Sequence, residues 1–306
     1  MTRDVEISEV GPRDGLQMLK GIMPTERKKA WIAALAASGL PEIEVCSFVS
    51  AKLLPQMADS AEIVAFARTI PGLKVAALAP NAKGTARAIE AGAQKITLPL
   101  SVSRSHSLAN VRKTPDEMVE EIRESARLRD ASASKPTIEA GLSTAFGCTI
   151  EGAITESEVV RLAAAAIAAG ADEVGLADTT GMANPDQIRR VIAAVHRAVG
   201  DRLTGVHLHN TFGLGLANAL AAYEAGIRTF DSSQAGLGGC PYAPGATGNV
   251  VTEDLVYMFE SMGVRTGIDL GKLMEGRRIL AEAFPEEPLY GYVPAVGLPK
   301  TYRPAA

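Results

Sequence analysis

Residues 155–181, TESEVVRLAAAAIAAGADEVGLADTTG, contain one whole turn of the pattern that decides the fold. Thr155 is followed three residues later by Glu158. In such a pair the first side chain caps an orphan amide and the second reaches back, which starts a helix. The Ala-rich run that follows stops at Gly170, where a residue without a Cβ can take the left-handed conformation past a helix end. DEVGLA (172–177) then reads as a short strand buried on both faces. A helix and a strand joined this closely belong to a parallel sheet.

The same alternation extends in both directions. VEISEV (5–10), EIEVCS (42–47), KVAALA (74–79), KITLPL (95–100), PTIEAG (136–141), LTGVHLH (203–209) and IRTFDS (227–232) complete a set of eight strand-like runs. Thr114 with Glu117 and Asn184 with Gln187 repeat the helix start, and glycines 39, 92, 200, 226 and 263 repeat the stop. Eight units imply an α/β protein, a closed (β/α)8 TIM barrel rather than an open doubly wound sheet. The eighth helix is expected over 251–262 and an extra C-terminal helix over 269–283. The chain thus divides into a barrel over 1–283 and an irregular tail, rich in Pro and Tyr, over 284–306.

With 47% hydrophobic residues, 22% charged residues and a net charge of −4, the 306-residue chain has ordinary globular composition and lacks the basic surface that nucleic acid requires. Its longest apolar run, LAAAAIAAGA from Leu162, is far short of the roughly 20 residues that span a bilayer. The N-terminus MTRDVEISEV has no apolar signal core. Cys46, Cys148 and Cys240 are odd in number and widely spaced, so neither a disulfide framework nor a metal knuckle is expected, and a reducing cytoplasm fits.

A TIM barrel carries its chemistry at the C-terminal ends of the strands. The polar residues there are Glu9, Arg13, Asp14 and Gln17 after strand one, and Glu44 and Ser47 on strand two. Strand six contributes Asp178, strand seven His207, His209 and Asn210, and the strand-eight exit Cys240 and Asn249. His207 and His209 stand two apart on a strand and therefore point to one face. Two imidazoles with the oxygens of Asp14 and Asn249 suit Mg²⁺ or Mn²⁺. Two structural histidines, or an Fe(II) site of two His and one carboxylate, have the same signature. Arg13 is placed to stabilise an oxyanion or enolate. Asp178 is a candidate to hold a metal-bound imidazole by hydrogen bond.

The exit from strand eight, GLGGCPYAPGATGN (236–249), has Gly or Pro at half of its positions. It matches neither GxGxxG nor a nucleotide P-loop. It reads as a lid that carries Cys240.

VGPRDGLQ (10–17), SFVSAKLLPQM (47–57), ADTTG (177–181), HLHNTFG (207–213) and AGLGGCPYAPGATGNVVTEDLVYM (235–258) together resemble the 3-hydroxy-3-methylglutaryl-CoA lyases. That family belongs to the metal-dependent aldolase and Claisen-type barrels. Synthase relatives usually have Glu in place of Leu16 and lack the Cys loop, so both features favour cleavage over condensation on a 2-oxo acid. The resemblance implies an acyl-CoA substrate and a divalent cation, Mg²⁺ or Mn²⁺, on Asp14, His207, His209 and Asn249. It implies Arg13 beside the enolate, His207 (or Asp14) as base, Cys240 as the acid on the loop, and Glu44 and Asp254 as active-site support. Gln17, Ser47 and Arg104 are the candidate substrate contacts. Barrels of this group often pair, so a homodimer or a higher homo-oligomer is expected. The pattern departs from the family after strand four, where Arg104 and His106 stand, and at Glu139 and Gly141, where members tend to carry Arg and an aromatic. These departures imply an altered contact to the acyl group.

Overall fold

The computed structural model describes residues 3–238 and 248–305. Its eight parallel strands close into a barrel in chain order, with the last pairing back to the first. They are β1 (Glu6–Glu9), β2 (Glu42–Ser47), β3 (Lys74–Leu78), β4 (Lys95–Ser101), β5 (Thr137–Ser143), β6 (Glu173–Asp178), β7 (Leu203–Leu208) and β8 (Thr229–Ser232). All eight coincide with the runs expected from sequence. The helices outside them are α1 (Thr25–Ala37), α2 (Ser60–Ala67), α3 (Ala82–Ala91), α4 (Arg104–Val111), α5 (Pro115–Ala131), α6 (Glu156–Ala168), α7 (Pro185–Val199), α8 (Gly215–Glu224), α9 (Thr252–Ser261), α10 (Leu270–Ala283) and α11 (Tyr292–Val296). None of them is long and apolar enough to cross a membrane.

Thr114, Thr155 and Asn184 each cap a helix, as their spacing predicts, but only Thr114 has the reciprocal bond. Glu158 is drawn to Arg161 (2.7 Å), and the Gln187 amide donates to the Phe146 carbonyl (2.8 Å). α4 fills a stretch whose sequence reads as a loop. Its buried residues are His106 and Ser107, both polar, so no hydrophobic stripe announces the helix. Ser103 starts it by accepting from the His106 amide (3.1 Å).

The outward faces of the strands are fully buried, with Leu98, Ile138, Leu142 and Leu176 each at 0% exposure. Burial of such a side chain contributes about 1.5–3 kcal/mol. The Trp31 indole N–H on α1 donates to Gln234 Oε1 (2.7 Å), and the Gln234 amide donates to the Leu273 carbonyl (2.6 Å). One polar chain therefore ties the first helix, the exit of β8 and α10 together.

The bottom of the barrel holds an ion cluster. Lys95 Nζ reaches Glu139 (2.7 Å), Glu173 (2.9 Å) and Glu42 (3.4 Å), and Lys74 also pairs with Glu42 (2.9 Å). Breaking such a buried cluster at one member costs about 3–5 kcal/mol, because the partner charges are left without solvent.

The tail, expected to be irregular, contains the short helix α11 and lies along α9. Asp254 accepts from the amides of Tyr292 and Val293 (both 2.8 Å), and the Tyr302 ring sits 5.6 Å from that of Tyr257. A cleft of about 570 Å³, lined by Tyr257, Met258, Tyr292 and Val296 among others, runs between the tail and α9.

Candidate active site

β1 leads into a single π-helical turn, Gly11–Gly15, which turns Arg13 and Asp14 over the barrel mouth. Arg13 Nη1 donates to Asp14 Oδ1 (2.6 Å), and Arg13 Nε donates to Glu44 Oε2 (2.5 Å) from the middle of β2. Burial works against the Arg13 charge, but the Glu44 and Asp14 carboxylates outweigh it and raise the pKa above the ordinary value. Burial would raise Asp14, but Arg13 and the two histidines hold it below the usual carboxylate range. Burial dominates at Glu44 and leaves it raised despite Arg13. Gln17 joins the group through its amide, which donates to Asp14 Oδ1 (2.9 Å).

From across the barrel, His207 and His209 converge on Asp14. Their Nε2 atoms lie 3.1 Å apart, and one ligand atom from each of Asp14, His207 and His209 falls within 4.8 Å of the others. His209 is followed by chain that pairs with the far end of the Gly-rich segment. Asn210 N donates to the Gly248 carbonyl (3.0 Å) and Val250 N to the Leu208 carbonyl (3.0 Å), which sets Asn249 opposite His209. Asn249 Nδ2 donates to Asp14 Oδ2 (2.7 Å) and to the Leu237 carbonyl (2.9 Å), and its buried Oδ1 has no hydrogen-bond partner. Orphaned buried acceptors are rare and call for a ligand. A carboxylate, two imidazole nitrogens and an unsatisfied amide oxygen form a donor set that fits Mg²⁺ or Mn²⁺.

Gly238, with φ +104°, is required here: a Cβ on it would stand 2.5 Å from Asn249 Nδ2 and 2.7 Å from Asp14 Oδ2. A Cβ on Gly248 would stand 2.2 Å from the Gly236 carbonyl oxygen, so the residues that flank 239–247 pack against one another. Cys240 lies outside the described residues.

The hydrogen bond expected from Asp178 to an imidazole is not made. Asp178 accepts from the amides of Met182 (3.0 Å) and Ala183 (3.1 Å), and it shapes the loop after β6. Burial pushes its carboxyl up to about 6. Asp231 on β8 holds the ring instead, with its Oδ2 3.2 Å from His207 Nδ1. Burial disfavours the His207 cation, but the Asp231 carboxylate outweighs it and raises the pKa. Burial and the neighbouring His207 push His209 down to about 3. Sequence reading overlooked Asp231. Its signal was an acid inside a barrel strand, and the register puts it directly opposite His207.

The other candidates are dispersed. Glu9 is fully buried and takes bonds from Gly11 N (2.8 Å), Gln234 N (2.9 Å) and Thr252 Oγ1 (2.7 Å), which clamps the β1 exit to the β8 exit. Burial pushes Glu9 up to about 8. Ser47 accepts from Val49 N (3.3 Å), within its own loop. Asn210 caps the turn into α8 by accepting from Gly215 N (2.9 Å). Arg104 is exposed in the first turn of α4, and Asp254 holds the tail, so neither joins the Arg13–Asp14–His207–His209–Asn249 group. His106 is buried in a bond with Ser101 Oγ (2.8 Å) at the end of β4.

A family model described as HMGL-like matches residues 4–280. The cytoplasmic 3-hydroxy-3-methylglutaryl-CoA lyase of Mus musculus is 41% identical over 282 residues, covering 91% of this chain and 81% of that protein. The mitochondrial hydroxymethylglutaryl-CoA lyase of Gallus gallus is 40% identical, covering 91% of this chain and 93% of that protein. Among solved structures, an HMG-CoA lyase from Acinetobacter baumannii in complex with coenzyme A and 3-methylmalate superposes with a TM-score of 0.90. It is 39% identical and covers 98% of this chain and 97% of its own.

Proposed function

The chain belongs to the HMGL-like family, and from that premise we propose a divalent-metal-dependent carbon–carbon lyase acting on an acyl-CoA. Its substrate is 3-hydroxy-3-methylglutaryl-CoA or a related 3-hydroxyacyl-CoA, split between C2 and C3 into acetyl-CoA and a keto acid, acetoacetate in the first case. The observation that carries this reading is the convergence of Asp14, His207 and His209 beside the paired Arg13 guanidinium, at the mouth of a barrel of this family.

Asp14, His207, His209 and Asn249 would hold the cation, Mg²⁺ or Mn²⁺, which when bound supplies a Lewis acid that acidifies the 3-hydroxyl. Of the two candidate bases, His207 and Asp14, His207 has Nδ1 on Asp231 and would give Nε2 to the cation, so an Asp14 oxygen takes the hydroxyl proton. The electron pair of the breaking bond moves to C2 and the thioester oxygen. Arg13, held by two carboxylates, is preorganised to face that developing charge. Cys240 delivers the proton to C2. Glu44 positions Arg13, and Gln17 positions Asp14.

We assign the protein to a reducing cytoplasm, supported by its few cysteines, of which Cys46 and Cys148 are buried and free. A homodimer or higher homo-oligomer is proposed from the family alone. The test follows acetyl-CoA release from 3-hydroxyacyl-CoAs with purified protein and Mg²⁺ or Mn²⁺. Consumption of 2-oxo acids and acetyl-CoA with no 3-hydroxyacyl-CoA cleaved would replace the lyase with a synthase. Asp14→Asn is expected to lose metal affinity and turnover together, whereas Cys240→Ser loses turnover with metal affinity kept.

A further inference from the structure

The groups of the site come from one half of the mouth. Arg13 and Asp14 follow β1, Glu44 lies on β2, His207 and His209 lie on and just beyond β7, and Asn249 follows β8. Among the described residues, the exits of β4, β5 and β6 supply no member of that group and face it across the barrel. An acyl group held by a cation on Asp14, His207 and His209 therefore has those three exits as its far wall.

One side chain of β5 faces that space. Ile138, Ala140 and Leu142 are fully buried, and Glu139, Gly141 and Ser143 alternate with them and are half-buried. Glu139 meets Lys95 of β4, which also reaches Glu173 of β6 and Glu42 of β2, and side chains of these strands converge only inside the barrel. Ser143 stands on the same inward face as Glu139, nearer the mouth. The register carries its row across the sheet. Leu142 pairs with Leu176, which sets Ser143 beside Ala177; Ala177 pairs with His207, and His207 with Asp231. All four are half-buried, so the row is an accessible strip that ends at the metal group. Ser143 is two strand spacings, about 10 Å, from His207, with the methyl of Ala177 between them. No described residue bonds its hydroxyl.

The next residue is strained. Thr144 has φ +57°, and it is the β-branched one among the described non-glycine residues with positive φ. A β-branched side chain is an outlier there and persists only where its surroundings fix it. Thr144 is fully buried, and the neighbouring exits fix it. Its amide donates to Thr179 Oγ1 after β6 (2.8 Å). Its Oγ1 accepts from Ser103 N after β4 (3.1 Å) and donates to the Ser143 carbonyl (2.6 Å). Val102 N donates to that same carbonyl (2.9 Å), and Ala145 N to the Ala177 carbonyl (3.1 Å). The Thr144 hydroxyl thus ties the Ser143 peptide to the exit of β4.

We propose that Thr144 is a positioning residue that holds the Ser143 hydroxyl towards the metal group, and that Ser143 Oγ donates to the end of the acyl group beyond C3. This rests on the lyase reading, which puts the 3-hydroxyl on the cation and leaves the arm beyond C3 to run along the strip to β5. In 3-hydroxy-3-methylglutaryl-CoA that arm ends in a carboxylate, which accepts from a hydroxyl. The contact is binding alone: no bond is made or broken.

The test is calorimetric binding of two thioesters that have no hydroxyl to cleave, with the Mn²⁺-loaded protein. Glutaryl-CoA ends in a carboxylate, and pentanoyl-CoA has the same length and a terminal methyl. Wild type is expected to prefer glutaryl-CoA. Ser143→Ala is expected to bind glutaryl-CoA about tenfold more weakly and pentanoyl-CoA unchanged. Thr144→Gly takes the positive φ without strain but lacks the hydroxyl, so it should unfold near the wild-type temperature and still lose about tenfold on glutaryl-CoA alone. Thr144→Ser retains the hydroxyl and should retain the preference. In the Ser143→Ala background Thr144→Gly should add no further loss, because it acts through Ser143. In turnover, Ser143→Ala and Thr144→Gly should raise KM for 3-hydroxy-3-methylglutaryl-CoA with Mn²⁺ affinity unchanged. A merely structural role for Thr144 would weaken both thioesters together and follow the unfolding temperature. Equal affinity of wild type for the two thioesters, a wild-type preference in Ser143→Ala or Thr144→Gly, or equal impairment of Thr144→Ser and Thr144→Gly would overturn the proposal. Wild type whose preference depends on Ser143 but which cleaves no 3-hydroxyacyl-CoA refutes the lyase reading alone.

Discussion

Replacing Asp231 with Asn is the most direct probe of how the site is held. The substitution preserves size, but the carboxylate that accepts from His207 Nδ1 at 3.2 Å becomes a neutral amide. Hydrogen bonds to a charged partner contribute about 1.5–3 kcal/mol and neutral ones about 0.5–1.5, so the loss is about 1–1.5 kcal/mol, or roughly tenfold in an equilibrium constant. Carboxylates behind metal-binding histidines typically account for about 10–100-fold in affinity or activity. The Asp231 side chain is 30% exposed and that of His207 18%, so solvent weakens the interaction and the expectation lies at the tenfold end. The assay is calorimetric Mn²⁺ affinity together with acetyl-CoA release. Asp178→Asn serves as the control, since the Asp178 carboxylate accepts from the backbone amides of its own loop and should cost stability, about 1–3 kcal/mol, more than metal. Wild-type Mn²⁺ affinity in Asp231→Asn, or a larger metal loss in Asp178→Asn, would refute the assignment of the supporting carboxylate to β8.

Gly238→Ala must force a Cβ between Asn249 and Asp14 at a positive φ, and is expected to lower Mn²⁺ affinity at least tenfold at a stability cost of about 1–3 kcal/mol; calorimetry and thermal unfolding read both effects. Asp254→Ala removes two acceptors from the tail and should destabilise it by about 1–3 kcal/mol, visible as faster proteolysis after Ala283, with Mn²⁺ affinity unaltered. Glu9 has a folded pKa near 8, above its ordinary 4.5, so its stabilising contribution is complete below pH 4.5 and is lost as pH rises through 8. The midpoint of thermal unfolding should therefore fall between pH 5 and 9, and Glu9→Gln should show a shallower fall; parallel slopes in the two proteins would contradict the titration.

The barrel was legible in the sequence because its signals are local. Strands such as DEVGLA, the caps at Thr114, Thr155 and Asn184, and the terminal glycines each depend on a few neighbouring residues. The face shared by His207 and His209 was legible for the same reason, since two-residue periodicity is built into a strand. α4 escaped because its buried side chains, His106 and Ser107, are polar. Arg13, Asp14 and Asn249 were read as site residues from their strand ends and from a resemblance, but their contacts depend on loops brought together across the barrel.

By itself, then, the sequence determined the order of strands and helices and the end of the barrel that carries the polar residues. Tertiary structure alone decided which carboxylate holds which base. Asp178 ends β6 and Asp231 lies within β8, and only the β7–β8 register puts Asp231 opposite His207 while two loop amides claim Asp178. It also decided that Asp254 serves the tail, and that Lys95 gathers Glu42, Glu139 and Glu173 at the barrel floor. Register, closure and charge balance are properties of residues far apart in the chain, and no local pattern encodes them.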